Sequence, residues 1–118
     1  GARGRATKQD LVWVVRCEHN IVAAARIVKV EEHALLCGVY VAADYRGKGV
    51  ASAMVAHACQ AFSAPLYSFI YTHLERFYSR LGFSCAAQTL PSCLQARLRA
   101  YQQQGRKIVP VCYGVTHG

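Results

Sequence analysis

Apolar residues fall in short blocks along the chain, and the spacing within each block predicts its element. Residues 11–18, LVWVVRCE, concentrate β-branched and aromatic side chains and predict a strand. His19-Asn20 supplies a turn, and residues 21–30, IVAAARIVKV, predict the return strand. The alanines at 23–25 pull against that reading, because alanine favours helix. Glu31-Glu32-His33 predicts a second turn, and residues 34–43, ALLCGVYVAA, a third strand. Gly38 inside this third run marks a bulge or a close backbone approach.

The period then changes. Val50, Met54, Ala58 and Ala61 recur at helical spacing, with Ala51, Val55 and Phe62 beside them, and Pro65 stops the helix. Residues 66–71, LYSFIY, predict a short buried strand. Thr72 is placed to cap a further helix that carries Leu74, Phe77, Tyr78 and Leu81 on one side, with Gly82 as its terminator. FSCAAQ, residues 83–88, predicts a fifth strand. Pro91 opens a helix in its first turn, Leu94, Leu98 and Tyr101 form its buried stripe, and Gly105 closes it. Residues 108–114, IVPVCYG, predict a last strand, with Pro110 placing it at an edge or a bulge. The order β-β-β-α-β-α-β-α-β implies a mixed α/β sheet with helices on its faces.

Composition narrows the class. A chain of 118 residues is one domain, and 53% hydrophobic with 17% charged residues excludes disorder. No apolar run approaches the roughly 20 residues that span a bilayer, and Gly1 to Arg5 lack the apolar core of a signal peptide. A soluble cytoplasmic domain is expected. The net charge of +8 calls for an anionic partner, whether nucleic acid, an acidic protein or a phosphate-rich cofactor. The basic residues are scattered, whereas a nucleic-acid stripe clusters on one element. The six cysteines form no C-x-x-C pair and are expected as reduced core residues. The five histidines are equally dispersed, and no metal is expected.

Arg46-Gly47-Lys48-Gly49 packs two cations and two glycines against the start of a helix. Helix N-termini carry unpaired amides and the positive end of the dipole, and glycine lets the backbone approach a ligand closely. A phosphate or pyrophosphate fits such a loop, and a plain strand-to-helix turn also explains it. The spacing matches neither a Walker loop nor G-x-G-x-x-G.

Arg46-Gly47-Lys48-Gly49-Val50-Ala51 resembles the R/Q-x-x-G-x-G/A signature of the GCN5-related N-acetyltransferases. Val39-Tyr40-Val41 and Asp44-Tyr45 resemble that family's lead-in to it. Downstream, residues 77–83, FYSRLGF, resemble its (L/F)-Y-x-(K/R)-L-G-F motif. The resemblance covers residues 11–88, and the rest more loosely. It implies a mostly antiparallel central sheet with helices on both faces, and acetyl-CoA as acyl donor. It further implies that the backbone of Val39 to Val41 pairs with the pantetheine amides in an opening between two splayed central strands. The amides of Arg46, Gly47, Lys48, Gly49, Val50 and Ala51 would cradle the pyrophosphate, with Ser52 adding a hydroxyl. Tyr78 matches the tyrosine that protonates the departing thiolate. Arg80 of the second motif is carried with the cofactor set. So is Tyr71, which stands where many relatives have an asparagine on the cofactor arm.

Three departures qualify the resemblance. The cofactor strand has no acid, so the general base is unassigned; Glu31 and Glu32 lie in the turn before it. Cys37 lies in that strand, though direct transfer to an amine needs no acylated cysteine. The family begins with a strand and two helices that wall the acceptor pocket, whereas about ten residues precede the first strand here. The chain is thus expected to be truncated or completed by a second subunit, with a homodimer as the specific expectation. The reading is an acetyl-CoA-dependent N-acetyltransferase acting on an unidentified primary amine. A non-catalytic CoA-binding regulatory protein and a basic nucleic-acid-binding domain are the alternatives.

Overall fold

The computed structural model describes residues 10–61 and 65–114. Two hairpins open the chain: β1 (Asp10–Cys17), β2 (Asn20–Val30) and β3 (His33–Val41) pair antiparallel through two-residue turns. A 3-10 turn at Ala43–Tyr45 leads to α1 (Val50–Gln60), then β4 (Leu66–Tyr71). A second 3-10 turn, Thr72–Leu74, precedes α2 (Glu75–Leu81), β5 (Ser84–Cys85), α3 (Ser92–Gln103) and β6 (Ile108–Tyr113). The sheet order is β1-β2-β3-β4-β6-β5, with β3 and β4 its one parallel pair among the described residues. No helix among them is long and apolar enough to cross a membrane.

The two faces carry separate cores. Ile27, Leu36, Leu66 and Ile70 pack with Met54 and Val55 of α1 and with Tyr78 and Leu81 of α2. On the other face Leu35, Tyr67 and Cys112 pack with Leu90 and with Leu94 of α3. The alanines of β2 are resolved by packing rather than propensity. Ala23 and Ala25 are fully buried in the first core beside Ala51 and Ala58 of α1, where small side chains let helix and sheet approach closely. Tertiary context decides against their helical preference.

Several boundaries depart from the sequence reading. Thr72 starts a 3-10 turn and makes no side-chain cap; α2 begins at Glu75, after Leu74. Pro91 is the N-cap of α3 rather than part of its first turn. FSCAAQ yields a strand of only two residues, because Phe83 and Ala86 turn into the two cores on either side of it. Phe77 is exposed, whereas Tyr78 and Leu81 are buried as expected. Phe62, expected at the end of α1, lies outside the described residues. β6 is not an edge strand. The Pro110 carbonyl accepts the Ala86 amide on the β5 side, so the missing proline N–H faces the side where pairing is only two residues long.

The expectation of core cysteines also fails. Cys17, Cys37 and Cys85 are exposed, at a strand end, a bulge and the sheet's far edge, and only Cys112 is fully buried. Alternation along a strand sends half its side chains away from the core, whatever the local hydropathy. Burial pushes the Cys59 thiol up to about 12, with Cys112 adding to the shift, and pushes Cys112 up to about 11. In the unfolded chain thiols titrate near 8.5, roughly. The unfolded state therefore releases these protons first, so stability is full below about pH 8.5 and falls as pH climbs towards 11 and 12. Urea midpoints should decline between pH 8 and pH 10.5, and less so in Cys112→Ala; a flat profile would contradict the assignment.

Gly82 ends α2 with φ 111°. A Cβ there would stand 2.8 Å from Cε2 of Tyr113. Gly82→Ala therefore meets backbone strain and a ring at once, and should cost about 3 kcal/mol, seen as a fall in Tm of about 10 °C. A fall of one or two degrees would mean that the Tyr113 ring swings aside freely.

Candidate active site

β3 and β4 pair only over Ala34↔Leu66, Leu35↔Tyr67 and Leu36↔Ser68. The buried Ser68 hydroxyl donates to the Leu36 carbonyl at 2.8 Å and closes the ladder. Beyond this point β3 continues along β2 to Val41, and β4 continues along β6 to Tyr71. The two strands separate and leave a wedge.

A bulge decides what faces the wedge. Ile27 pairs with Leu36 but Arg26 pairs with Gly38, so Cys37 is the extra residue. One inserted residue reverses the side on which every later side chain lies. Without it Val39 and Val41 would face α3; with it both pack towards α1 and α2. The glycine at 38 marks this bulge, as expected.

On that face a groove of about 360 Å³ is lined by Val39, Val41, Arg46, Gly47, Gly49 and Val50, together with Ala51 and Ser52. Lys48 completes the loop, its ammonium 5.8 Å from the centre of the Tyr45 ring. Gly47 and Gly49 have φ 76° and 78°, which L side chains rarely adopt. The first hydrogen bond of α1 runs from the Ala53 amide to the Gly49 carbonyl. Residues 46–49 form a hydrogen-bonded turn, and from Gly47 to Ser52 no amide makes a close, well-aligned bond to a backbone carbonyl among the described residues. Arg46 has a different part from the one expected. Its amide is taken by Ala43, and its Nε donates to the Val41 carbonyl at 2.9 Å, so the side chain pins the loop to the end of β3.

The groove also has walls that sequence reasoning missed. Tyr40, Tyr45, Phe77 and Leu81 line it. The neighbouring Cys17, acting chiefly as a side-chain hydrogen-bond partner, raises the Tyr45 phenol above its ordinary value. The exposure of Phe77 had no local signal, because its spacing from Leu74 and Leu81 fits the buried stripe equally well.

Tyr78 of α2 does not line the groove as Phe77 and Leu81 do; it belongs to the core beneath. It is 7% exposed, with its ring edge-on to Phe77 at 5.3 Å and to Phe83 at 5.4 Å. Burial holds its phenol above the ordinary value and hence protonated at neutral pH. Tyr71 and Arg80 stand elsewhere. Arg80 lines a depression between α2 and the β5–β6 edge. Tyr71 lines a cavity of about 280 Å³ on the α3 face of the wedge, with Cys37, Phe69, Tyr101, Arg26 and Arg106. The groove and this cavity border the same gap from opposite faces of the sheet. A third cavity of about 310 Å³, between β1 and α1, is walled by Trp13, Met54 and His57 and shares only Val50 with the groove. Glu31 and Glu32 are exposed in the β2–β3 turn, and no described carboxylate lines the groove or the α3-side cavity.

This arrangement agrees with the comparisons. A search of curated protein sequences returns no match. The fold is similar to N-acetylglutamate synthase from Neisseria gonorrhoeae, solved with coenzyme A and N-acetyl-glutamate (TM-score 0.73, 15% identity, 90% of this chain and 26% of that one). It is similar to the paia N-acetyltransferase of Thermoplasma acidophilum, solved with coenzyme A (TM-score 0.67, 10% identity, 91% of this chain and 62% of that one). It is also similar to the ribosomal-protein-S18-alanine N-acetyltransferase of Escherichia coli (TM-score 0.67, 18% identity, 96% of this chain and 74% of that one). The chain thus spans about a quarter of the first protein and under two thirds of the second. The family model described as an acetyltransferase (GNAT) domain matches residues 8–85, which hold the wedge, the glycine loop and Tyr78. The chain belongs to the GNAT acetyltransferase family.

Proposed function

We propose that the protein binds acetyl-CoA along the groove and transfers its acetyl group to a primary amine held in the α3-side cavity. The observation that carries this reading is the run of amides at residues 47 to 52, without a close backbone partner among the described residues, at the mouth of a wedge where β3 and β4 stop pairing. Such amides at a helix N-terminus suit a pyrophosphate, and Lys48 adds charge beside them. The free side of β3 at Val39 to Val41 suits an extended amide-bearing arm, which would add to the sheet as a strand does. Acetyl-CoA supplies an activated acyl group, and the chain's part is to orient it and move protons.

The wedge would hold the acyl carbon between the two faces, so that an uncharged amine approaches from the cavity. A backbone amide of β3 would stabilise the developing oxyanion. An N–C bond forms, the C–S bond breaks, the sulfur takes the Tyr78 proton, and the ammonium proton leaves to solvent. Tyr78 is then reprotonated from water. With no described carboxylate at either cavity, the amine's own ionisation supplies the nucleophile. The cytoplasmic setting and the homodimer belong to the same proposal; β1 is an edge of the sheet among the described residues, which a second copy would cover. Sedimentation at micromolar concentration measures the latter, and a single-chain mass across a tenfold dilution series would remove it.

The test combines thermal shift with turnover. Acetyl-CoA should raise Tm, because a ligand that binds only the native state stabilises it. Release of free CoA thiol should then depend on an added amine. No shift with acetyl-CoA overturns the reading. A shift without turnover over a broad amine panel favours the non-catalytic CoA-binding alternative.

A further inference from the structure

We infer that the amine accepted in the α3-side cavity also carries a carboxylate, as a small amino acid does; this rests on the acetyl transfer proposed above. Two exposed arginines, Arg26 and Arg106, line the cavity. α3 closes with Gly105 at φ 90°, the Gly105 amide bonded to the Gln102 carbonyl and the Arg106 amide to the Tyr101 carbonyl. This paired closure fixes the residue after the glycine relative to the last turn of the helix. Arg106 is therefore held in place through its backbone. Its guanidinium carbon then lies 4.8 Å from the centre of the Tyr101 ring, so the side chain is laid against a cavity wall.

Tyr101 is itself steadied by Phe69 of β4, ring centres 6.2 Å apart and edge-on. The result is an aromatic wall ending in a planar cation. Arg26 lines the same space, and none of the described carboxylates does. A guanidinium presents paired donors that match a carboxylate's two oxygens. A volume of about 280 Å³ suits a small molecule rather than a folded partner.

The same charge serves the chemistry. Attack requires the uncharged amine, and a neighbouring cation disfavours the ammonium form. A cationic cavity thus promotes loss of the amine's proton where no carboxylate base is present. It also works against polyamines, which bring a second positive charge and nothing to pair with Arg106.

The experiment measures acetyl-CoA-dependent thiol release with three sets of amines. These are free amino acids of aliphatic, aromatic and acidic type, the same compounds with the carboxyl group amidated, and spermidine. Amidation should lower kcat/KM at least about 10-fold, the size of a lost charge-assisted hydrogen bond. Arg106→Gln should raise KM for the free acids by about 10-fold, with the acetyl-CoA-induced rise in Tm retained, and Arg106→Lys should recover part of the loss. Equal or faster turnover of the amides or of spermidine overturns the inference. So does an absence of turnover with every free amino acid when acetyl-CoA still raises Tm. An absent Tm rise instead strikes the acetyl-transfer reading itself.

Discussion

Replacing Tyr78 with phenylalanine should leave acetyl-CoA binding intact and lower kcat about 100-fold, the usual loss when one acid catalyst is removed. The ring is what packs, edge-on to Phe77 and Phe83, and phenylalanine retains it. The hydroxyl has no hydrogen-bond partner among the described residues, so the fold should not suffer from its removal. The direction of the phenol's shift adds a pH signature. An acid must be protonated to act, and burial raises this one above its ordinary value near 10. Wild-type kcat should therefore show no loss attributable to Tyr78 below about pH 10. Equal turnover of the phenylalanine variant and the wild type would leave Tyr78 a packing residue and the thiolate to be protonated by water.

Gly49→Val should abolish the acetyl-CoA-induced rise in Tm while the protein still folds. At φ 78° a β-branched residue is a true outlier, and the strain costs about 1–2 kcal/mol. Space is not the obstacle, since a Cβ at Gly49 meets nothing within 4 Å. What changes is direction. Relief of the strain turns the peptide planes that aim the first amides of α1, and the side chain enters the groove that a pyrophosphate would occupy. In wild type, ligand at 100 times its Kd contributes about 2.7 kcal/mol, and the variant should show none of it. An undiminished shift in Gly49→Val would reduce the glycine loop to a turn between β3 and α1.

The elements most legible in sequence are those whose cause is local. LYSFIY is a strand over the residues expected, because an apolar block bounded by Pro65 and a polar turn has few other uses. The glycine loop was legible because its two left-handed positions demand glycine wherever they occur. Other features depend on partners remote in the chain. Val39 and Val41 face the groove only because Cys37 is bulged against β2, a pairing between residues a dozen apart. Phe77 lies open because nothing among the described residues covers that side of α2, which its helical period does not reveal. Tyr71 sits on the α3 face because alternation in β4 puts it there with Phe69, whereas the motif assigns it by distance along the chain. The α3-side cavity joins β2, β3, β4 and the far end of α3, and no spacing rule connects Arg26 to Arg106.

The short ladder between β3 and β4 makes a seam. Within the sheet, two slabs, β1-β2-β3 and β4-β6-β5, are hydrogen-bonded through only three residue pairs and one hydroxyl bridge from Ser68, the cores on either face supplying the rest of the join. Past that bridge the inward-facing amides of each slab look into water, and local opening there should need little free energy. Deuterium should enter this line faster than the strands on either side. A pantetheine arm lying in the wedge would occupy those donors and rivet the slabs together. Exchange should then slow on both sides at once, including in β6, none of whose residues lines the groove. The join most prone to part is also where the donor binds, so the cohesion of the two slabs becomes a readout of how much acetyl-CoA is present.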